Sequence, residues 1–545
     1  MTDAAATAQP MEGPGDIETL AQGGRTNFFG FLLRLAARLP FLFVAGRWYG
    51  ADALGRFAYA TIIVEFVAQI ATVGLKRGLA QKLANTHRPH VHVVWDGMLV
   101  GWVTSALATA LLIAVPELMF PNSAINGRDR LLALTVFGWA GSDIALAALA
   151  YRGDIGATVK ARSLIEPWTI SIAAFALAWY SKRDGLILAY AVSAAAALVA
   201  SLWPLFRSYG WPKGWKPEPL RLFRLAARNL PLAGADAIEW GSRRLDIAML
   251  GLFFSPAIVG IYYVAQQVAT LPQKLKTSFD PILGPVITQN LADDNKPAIA
   301  RQVRQVGFWI IAAQVGIAVA LAIPGKAVMG LVGPSFVGGT GALAVLLAAE
   351  AIAATAVVSE AALIYVAPWR NLLISVGMIA MQLLLSVAFV WLFRWGLPLL
   401  AVQGLIGTRP TIRDDVVAAA GPAVALMIAL GLASFAKAWL LSRLLRARVN
   451  GWRWPLVWAA AIAGAAGWAV TRLPHHLEWI ELAVGVPIIL GVYGTVIWYR
   501  GFDADDRALF RFDAATARAA AAKPVCGDAA HGRRIRHEQA IDGGN

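Results

Sequence analysis

Arginines occur inside two otherwise apolar stretches of the sequence. Arg34 and Arg38, four residues apart, lie in the first stretch, and Arg243 and Arg244 lie in a later one. An arginine at membrane depth costs at least ~2.5 kcal/mol on insertion scales, so it usually faces a protein interior or an aqueous cavity. Guanidinium groups bind phosphate-type anions through paired hydrogen bonds. We therefore expect Arg38 and Arg243, supported by Arg34 and Arg244, to bind an anionic head group. The alternative is that Arg34 and Arg38 reach the membrane surface with their charged ends.

Acidic residues accompany the second arginine pair. Asp236, Glu239, Arg243 and Asp246 follow one another at spacings of three, four and three residues, which predicts one stripe along a helix. One interpretation is a self-neutralised network that makes burial of the charges tolerable. The other is a switch, in which a bound phosphate displaces a carboxylate from arginine and biases the protein towards one conformation.

Further acids fall within apolar segments and are candidates for binding a coupling cation or proton. They are Glu65, Asp143, Glu350 and Glu360. The sequence contains no phosphate-binding loop of the GxxxxGK[ST] type and no HExxH zinc motif, so we expect no resident metal or cofactor. Coupling to Na+ or H+ is the role that such acids could serve, and the sequence does not single out one of them.

The composition indicates a protein built largely within a membrane. Of the 545 residues, 58% are hydrophobic and 15% are charged, against about 25% charged in a soluble domain. About 20 apolar residues cross a bilayer as a helix. The sequence predicts an all-α polytopic membrane protein with fourteen transmembrane helices, at 28–46, 57–75, 93–115, 131–150, 164–180, 186–206, 230–254, 258–273, 306–323, 340–362, 371–393, 415–436, 455–471 and 480–499.

The loop charges give an independent test of this topology. If the N-terminus is cytoplasmic, the cytoplasmic loops before the tail carry 25 Lys and Arg residues and the opposite loops carry 11. This bias is the positive-inside pattern, and it predicts that both termini are cytoplasmic. The net charge of +15 therefore reflects topology, and no nucleic-acid partner is expected.

An internal repeat relates two parts of the chain. A shift of 205 residues lays 46–60, GRWYGADALGRFAYA, over 251–265, GLFFSPAIVGIYYVA, so that Gly55 meets Gly260 and Arg38 meets Arg243. The shift spans six predicted helices, an even number, so the two copies have the same orientation in the membrane. Such a parallel repeat predicts two six-helix lobes with a pathway between them.

These motifs resemble the polysaccharide-exporter branch of the multidrug/oligosaccharidyl-lipid/polysaccharide (MOP) superfamily, which includes Wzx-type oligosaccharide flippases. The resemblance is carried by 46–84, GRWYGADALGRFAYATIIVEFVAQIATVGLKRGLAQKLA, and by 243–275, RRLDIAMLGLFFSPAIVGIYYVAQQVATLPQKL. It implies a MOP/MATE-like V-shaped arrangement of two six-helix lobes plus two C-terminal helices. The corresponding division of the chain is a disordered N-terminus 1–27, a first lobe 28–206, a basic cytoplasmic linker 207–229, a second lobe 230–436, two additional helices 437–499 and a cytoplasmic tail 500–545.

The resemblance also implies a function. It suggests a flippase, not an enzyme, that moves polyprenyl-pyrophosphate-linked oligosaccharide across the bacterial inner membrane for exopolysaccharide, capsule or O-antigen (lipopolysaccharide) biosynthesis, with polymerase and chain-length or export proteins as partners. Three alternatives remain open. A peptidoglycan lipid-precursor flippase would share the cationic site, a drug/cation antiporter would favour an acidic one, and a membrane glycan polymerase would need a catalytic outer loop.

Overall fold

A computed structural model describes most of the apolar part of the chain. The described residues are 40–242, 244–273, 293–393, 419–471 and 478–503, together with Ile287, Asn290, Leu291, Asp506 and Arg507. Every regular element within these ranges is helical. This is the expected outcome for long apolar segments, because a helix satisfies its backbone hydrogen bonds internally where the bilayer offers no water.

Seventeen α-helices of eight or more residues make up the described part of the fold. They are α1 Gly50–Ala71, α2 Leu75–Ala84, α3 His90–Ala114, α4 Thr135–Tyr151, α5 Glu166–Leu177, α6 Gly185–Tyr209, α7 Pro219–Ser242, α8 Leu245–Phe253, α9 Pro256–Gln273, α10 Lys296–Ala322, α11 Gly325–Val332, α12 Thr340–Ala354, α13 Val357–Val366, α14 Pro368–Trp391, α15 Gly421–Leu445, α16 Pro455–Val470 and α17 Glu478–Val496. Short π-helical and 3-10 turns connect several of them, including a π-helical turn, Val159–Ile165, that leads into α5.

The lengths and composition of these helices confirm an all-α polytopic membrane protein. In the described ranges, nine helical segments are long and apolar enough to cross a membrane. Two shorter apolar helices, α13 and α16, accompany them. The first predicted span is described only from residue 40, and 394–418 lies outside the described residues, so the count of fourteen stays a prediction.

The crossing of α1 with α9 is reciprocal. A Cβ atom added to Gly55 would overlap the carbonyl oxygen of Pro256, and one added to Gly260 would overlap the carbonyl oxygen of Ala51. Under the 205-residue shift Gly55 corresponds to Gly260 and Ala51 to Pro256, so each contact is the counterpart of the other. A two-fold relation between the repeat copies produces this reciprocity, and the geometry thus agrees with the internal repeat.

The turn between α1 and α2 brings α7 close to the first helices. Gly74 occupies the left-handed region, with φ of +68°, which favours glycine. A Cβ atom there would lie 2.6 Å from the backbone nitrogen of Ala233 and 2.6 Å from the carbonyl oxygen of Asn229, both on α7. A Cβ on Gly78 would collide with the Asn229 side chain. The two glycines therefore let the backbones of α2 and α7 approach directly.

Candidate functional site

Of the four predicted anion-binding arginines, the structure describes Arg244. Arg34, Arg38 and Arg243 lie outside the described residues. Arg244 occupies the turn between α7 and α8, and its Nη1 atom lies 3.3 Å from Oε2 of Glu65 on α1. Its guanidinium group also stands over the Trp240 ring, 5.0 Å from the ring centre. This ion pair joins the two parts of the chain that the repeat relates.

Glu65 is held from a second side. The Tyr190 hydroxyl on α6 donates a hydrogen bond of 2.8 Å to Oε1 of Glu65. Each carboxylate oxygen of Glu65 therefore has a partner, a tyrosine on one and an arginine on the other. The Tyr190 ring stacks on Trp139 of α4 with 5.9 Å between ring centres. Trp139 connects this group to a second cluster of charges.

The second cluster is centred on Arg162, in the turn before α5. Arg162 bonds to Asp143 on α4 and lies 3.3 Å from Oε2 of Glu166. Its guanidinium group stands 4.1 Å from the centre of the Trp139 ring. Asp143 also accepts a hydrogen bond of 3.3 Å from Nε2 of Gln69. Asp143, a predicted coupling acid, is thus the partner of Arg162, which the predicted spans place in a cytoplasmic loop.

The start of α2 adds two further cations. Nζ of Lys76 lies 3.9 Å from Oδ2 of Asp143, and Nε of Arg77 lies 2.7 Å from Oδ1 of Asp236. The second pair ties α2 to α7. Asp236 is therefore bound to the first repeat copy through Arg77, a partner that the stripe pattern did not indicate.

The carboxylates of these pairs are more covered than the cations that they bind. The exposed fractions of the basic side chains are 49% for Lys76, 51% for Arg77 and 34% for Arg244, against 10%, 4% and 15% for Asp143, Asp236 and Glu65. Each carboxylate lies deeper in the protein than the cation that it binds. The accessible surface of the cluster is therefore cationic, although its charges are paired.

The four-residue stripe predicted over 236–246 is not one continuous helix. Helix α7 ends at Ser242 and α8 begins at Leu245. Asp246 is fully buried on α8 and accepts hydrogen bonds from the Tyr262 hydroxyl at 2.8 Å and from Nε2 of Gln266 at 2.8 and 2.9 Å, both on α9. The break turns Asp246 towards α9 and Asp236 towards α2. The side chain of Glu239 and all of Arg243 lie outside the described residues, so their predicted ion pair is not tested.

The remaining two candidate acids lie on later helices. Glu360 on α13 lies 3.0 Å from Nζ of Lys437, a buried lysine on α15. Glu350 is half-buried on α12. The roles of Glu350 and Glu360 in ion coupling stay predictions.

The end of the bundle where α1 and α9 begin is closed by further contacts. Nδ2 of Asn122, in the connection between α3 and α4, donates to the carbonyl oxygens of Gly251 at 2.7 Å and Phe254 at 3.2 Å. These carbonyls lie at the C-terminal end of α8, where helical partners are missing. Nε of Arg47 donates to the carbonyl oxygen of Leu331 at 3.1 Å. Backbone contact and side-chain caps thus hold the two repeat copies together here.

Comparison with known proteins agrees with this architecture. An inward-facing MATE family transporter of the MOP superfamily has a TM-score of 0.59 at 13% identity, covering 76% of this chain and 99% of that one. The lipid II flippase MurJ in an inward closed conformation has a TM-score of 0.60 at 12% identity, covering 89% of this chain and 99% of that one. An outward-facing MATE transporter of the same superfamily scores 0.51 at 13% identity, covering 80% and 99%.

These likenesses show that the fold is of the MOP type, as the sequence predicts. A search of curated proteins finds no match. The family model described as polysaccharide biosynthesis protein matches residues 46–332. That match covers more than half of the 545 residues, and the chain, a multi-pass membrane protein, therefore belongs to the family of polysaccharide biosynthesis proteins.

Proposed function

We propose that this protein is a flippase that moves polyprenyl-pyrophosphate-linked oligosaccharide across the bacterial inner membrane by alternating access. The product would feed exopolysaccharide, capsule or O-antigen assembly, where polymerase and chain-length or export proteins act on it. The observation that carries the proposal is the cationic accessible surface of the charge cluster, in which Lys76 and Arg77 are exposed, Arg244 is one-third exposed, and their carboxylates are more covered.

A diphosphate is the part of such a substrate that the cluster fits. It carries concentrated negative charge and several acceptor oxygens, which guanidinium groups bind bidentately. Attraction between charges is much stronger away from bulk water. Arg244 is the described arginine best placed to bind it, because it is one-third exposed and, among the described residues, its ion pair is with Glu65. Arg34, Arg38 and Arg243 complete the proposed site.

The ion pair between Arg244 and Glu65 supports the switch interpretation. A diphosphate that binds Arg244 competes with Glu65, whose contact with the arginine is 3.3 Å. The Tyr190 hydroxyl continues to hold Glu65 when the arginine leaves. Protonation of Glu65 or Asp143, or Na+ binding there, would weaken the hold on the arginines in the same way. We therefore propose these two acids as the coupling site.

The second candidate cargo is the lipid precursor of peptidoglycan. The likeness to the lipid II flippase covers 89% of this chain, against 76% and 80% for the two MATE transporters. Both cargos are polyprenyl diphosphates that carry sugars. The charge cluster fits the diphosphate of either one, so the sugar must be tested directly.

The test is translocation in liposomes that contain the purified full-length protein. A fluorescent polyprenyl-pyrophosphate oligosaccharide and fluorescent lipid II are each followed by quenching of the outer leaflet, with and without a Na+ or H+ gradient. Arg244→Gln is compared with Arg128→Gln. The control is matched, because Arg128 also forms a 3.3 Å ion pair, with Asp184, and stands 5.2 Å from a ring, that of Tyr180.

We expect wild type and Arg128→Gln to move the oligosaccharide lipid and Arg244→Gln to move it at least tenfold more slowly. The factor follows from a charged hydrogen bond worth about 1.5–3 kcal/mol. Transport of lipid II without transport of the oligosaccharide lipid would support the second candidate, a flippase for the peptidoglycan precursor. If the wild-type protein moves neither lipid, the flippase proposal is wrong. If Arg244→Gln transports at the wild-type rate, the diphosphate binds at a site that does not include Arg244.

A further inference from the structure

The connection between α6 and α7 is hydrogen-bonded to α3. Between Tyr209 and Pro219, Nε1 of Trp215 donates to Oδ1 of Asp96 at 2.8 Å, and Asp96 is also paired with Arg88 at 2.7 Å. Asp96 lies on α3 and is almost fully buried. The connection therefore holds α7 at a defined position, with its first turns beside α2 and α3.

The first turns of α7 present three different faces. One face is buried against α2 and the neighbouring helices and contains Leu225, Asn229 and Ala233, spaced four residues apart. The other two are exposed. Because a helix has 3.6 residues per turn, residues three, four or seven apart share one side, and α7 has a buried, an apolar exposed and a basic exposed set at such spacings.

One exposed face is apolar. Leu220, Phe223 and Leu230 are 65%, 70% and 64% exposed, although each has a large hydrophobic side chain. Trp211, in the preceding connection, is 68% exposed. Spacings of three and seven residues place the three helix residues on one side. Large apolar side chains on one side of a helix are typical of insertion at the boundary between lipid head groups and acyl chains.

The adjacent exposed face is basic. Arg224 and Arg228, four residues apart, are exposed, and no described carboxylate forms an ion pair with either one. Arg221 is paired with Glu218 at 2.7 Å. Arg224 and Arg228 therefore present two positive charges on one side of the helix, where an anion from outside the protein can bind them.

We propose that this α7 surface, defined as Leu220, Phe223, Leu230, Arg224 and Arg228, binds anionic phospholipid head groups of the surrounding bilayer. The three apolar side chains enter the acyl region and the two arginines contact the phosphates above it. This is a phospholipid site separate from the substrate site. The inference does not depend on the proposed cargo, because it concerns lipids that stay in their leaflet.

The same helix connects this surface to the charge cluster. Helix α7 is continuous from Pro219 to Ser242 and carries Asp236, bonded to Arg77, and Trp240, beneath Arg244. The distance from Arg228 to Trp240 along the helix is about 18 Å, from a rise of 1.5 Å per residue. Lipid bound near Arg228 therefore restrains α7, and at its other end the same helix positions Trp240 under the guanidinium group of Arg244.

The experiment is a titration of the full-length protein in detergent with fluorescent phosphatidylglycerol. The test variant is Arg224→Gln/Arg228→Gln. The control is Arg130→Gln/Lys182→Gln, which removes the same charge from two exposed side chains at the other end of the bundle. A third variant, Phe223→Ser, tests the apolar face. Size-exclusion chromatography establishes that each variant remains folded.

We expect the test variant to bind phosphatidylglycerol roughly 25-fold more weakly than wild type, about fivefold for each arginine. Phe223→Ser should also weaken binding, the control should not, and unlabelled phosphatidylcholine should not displace the probe. Unchanged affinity in the test variant overturns the proposal, as does an equal loss in the control. Displacement by a polyprenyl diphosphate at lower concentration than by phosphatidylglycerol assigns the surface to substrate and also overturns it.

Discussion

Replacing Gly55 by alanine should open the end of the bundle at which α1 and α9 meet. The added Cβ would overlap the Pro256 carbonyl oxygen and lie 2.5 Å from the backbone nitrogen of Gly260. Ordinary contacts between heavy atoms begin near 3.5 Å, so the two helices must separate by more than about 1 Å. The obstacle on the other side is backbone, which cannot rotate away as a flexible side chain does.

The shift in the equilibrium between closed and open arrangements can be worked out, because the clash occurs only in the closed one. Overpacking of this kind costs about 1–3 kcal/mol in the closed arrangement and nothing once the helices are apart. The better helix propensity of alanine favours both arrangements equally and cancels. The equilibrium between closed and open should therefore move towards open by a factor of roughly 5–150.

The assay is labelling of a cysteine that the closed end covers. Val259 on α9 is 1% exposed and lines a small cavity together with Gly55 and Asn122. The background is Cys526→Ser with Val259→Cys, which leaves a single cysteine. We expect Gly55→Ala to raise the rate of maleimide labelling by the same factor of roughly 5–150, provided that opening is fast compared with labelling.

The matched control is Gly377→Ala on α14, where an added Cβ meets nothing within 4 Å. It changes helix propensity without a clash and should leave the labelling rate unaltered. The reasoning fails if folded Gly55→Ala protein labels no faster than wild type. It fails equally if Gly377→Ala accelerates labelling as much.

Other contacts give three further expectations. Asn122→Ala removes the cap on the last carbonyls of α8 and should raise the labelling of Val259→Cys about fivefold or more, from a lost bond worth ~1 kcal/mol; an unchanged rate contradicts the role. Asp506→Ala should lower the free energy of unfolding by about 3 kcal/mol in thermal unfolding, because it breaks a buried ion pair, whereas Asp503→Ala, whose carboxylate is 77% exposed, should change it little. Glu65→Gln should lower both KM and kcat for translocation, because Arg244 then binds the diphosphate more tightly and releases it more slowly; a raised KM argues against the competition.

The fold was predictable because a bilayer leaves few choices. Apolar runs of about 20 residues become helices, and shared glycine spacing indicated a repeat with which the α1–α9 contact agrees. The coincidence of Gly55 with Gly260 in sequence indicated a related position, and the structure adds that the two residues face each other. That contact depends on how the copies pack, which local sequence patterns do not contain.

The charge cluster was only partly predictable for the same reason. Glu65, Asp143, Asp236 and Arg244 were identified because a charge in an apolar segment is visible in sequence. Arg162 was missed, because it falls at the edge of such a segment, and its partners are 19 residues before it and 4 residues after it. Lys76 and Arg77 were likewise assigned to a loop, since the sequence does not reveal that a helix resumes at Leu75, directly after the turn at Gly74. Pairing across helices is a long-range property.

Helix α1 joins the closed end to the charge cluster, and this connection gives the last expectation. Gly55 and Glu65 lie ten residues apart on the one helix, about 15 Å along its axis. Each contacts the second repeat copy, Gly55 through Gly260 and Glu65 through Arg244. Both contacts favour the closed arrangement, so an anion that takes Arg244 from Glu65 removes one of them. A polyprenyl diphosphate should therefore accelerate labelling of Val259→Cys in otherwise wild-type protein. The Arg244→Gln variant should label faster without ligand and respond no further, because the contact is already gone. Equal acceleration in both proteins would show that the ligand acts elsewhere.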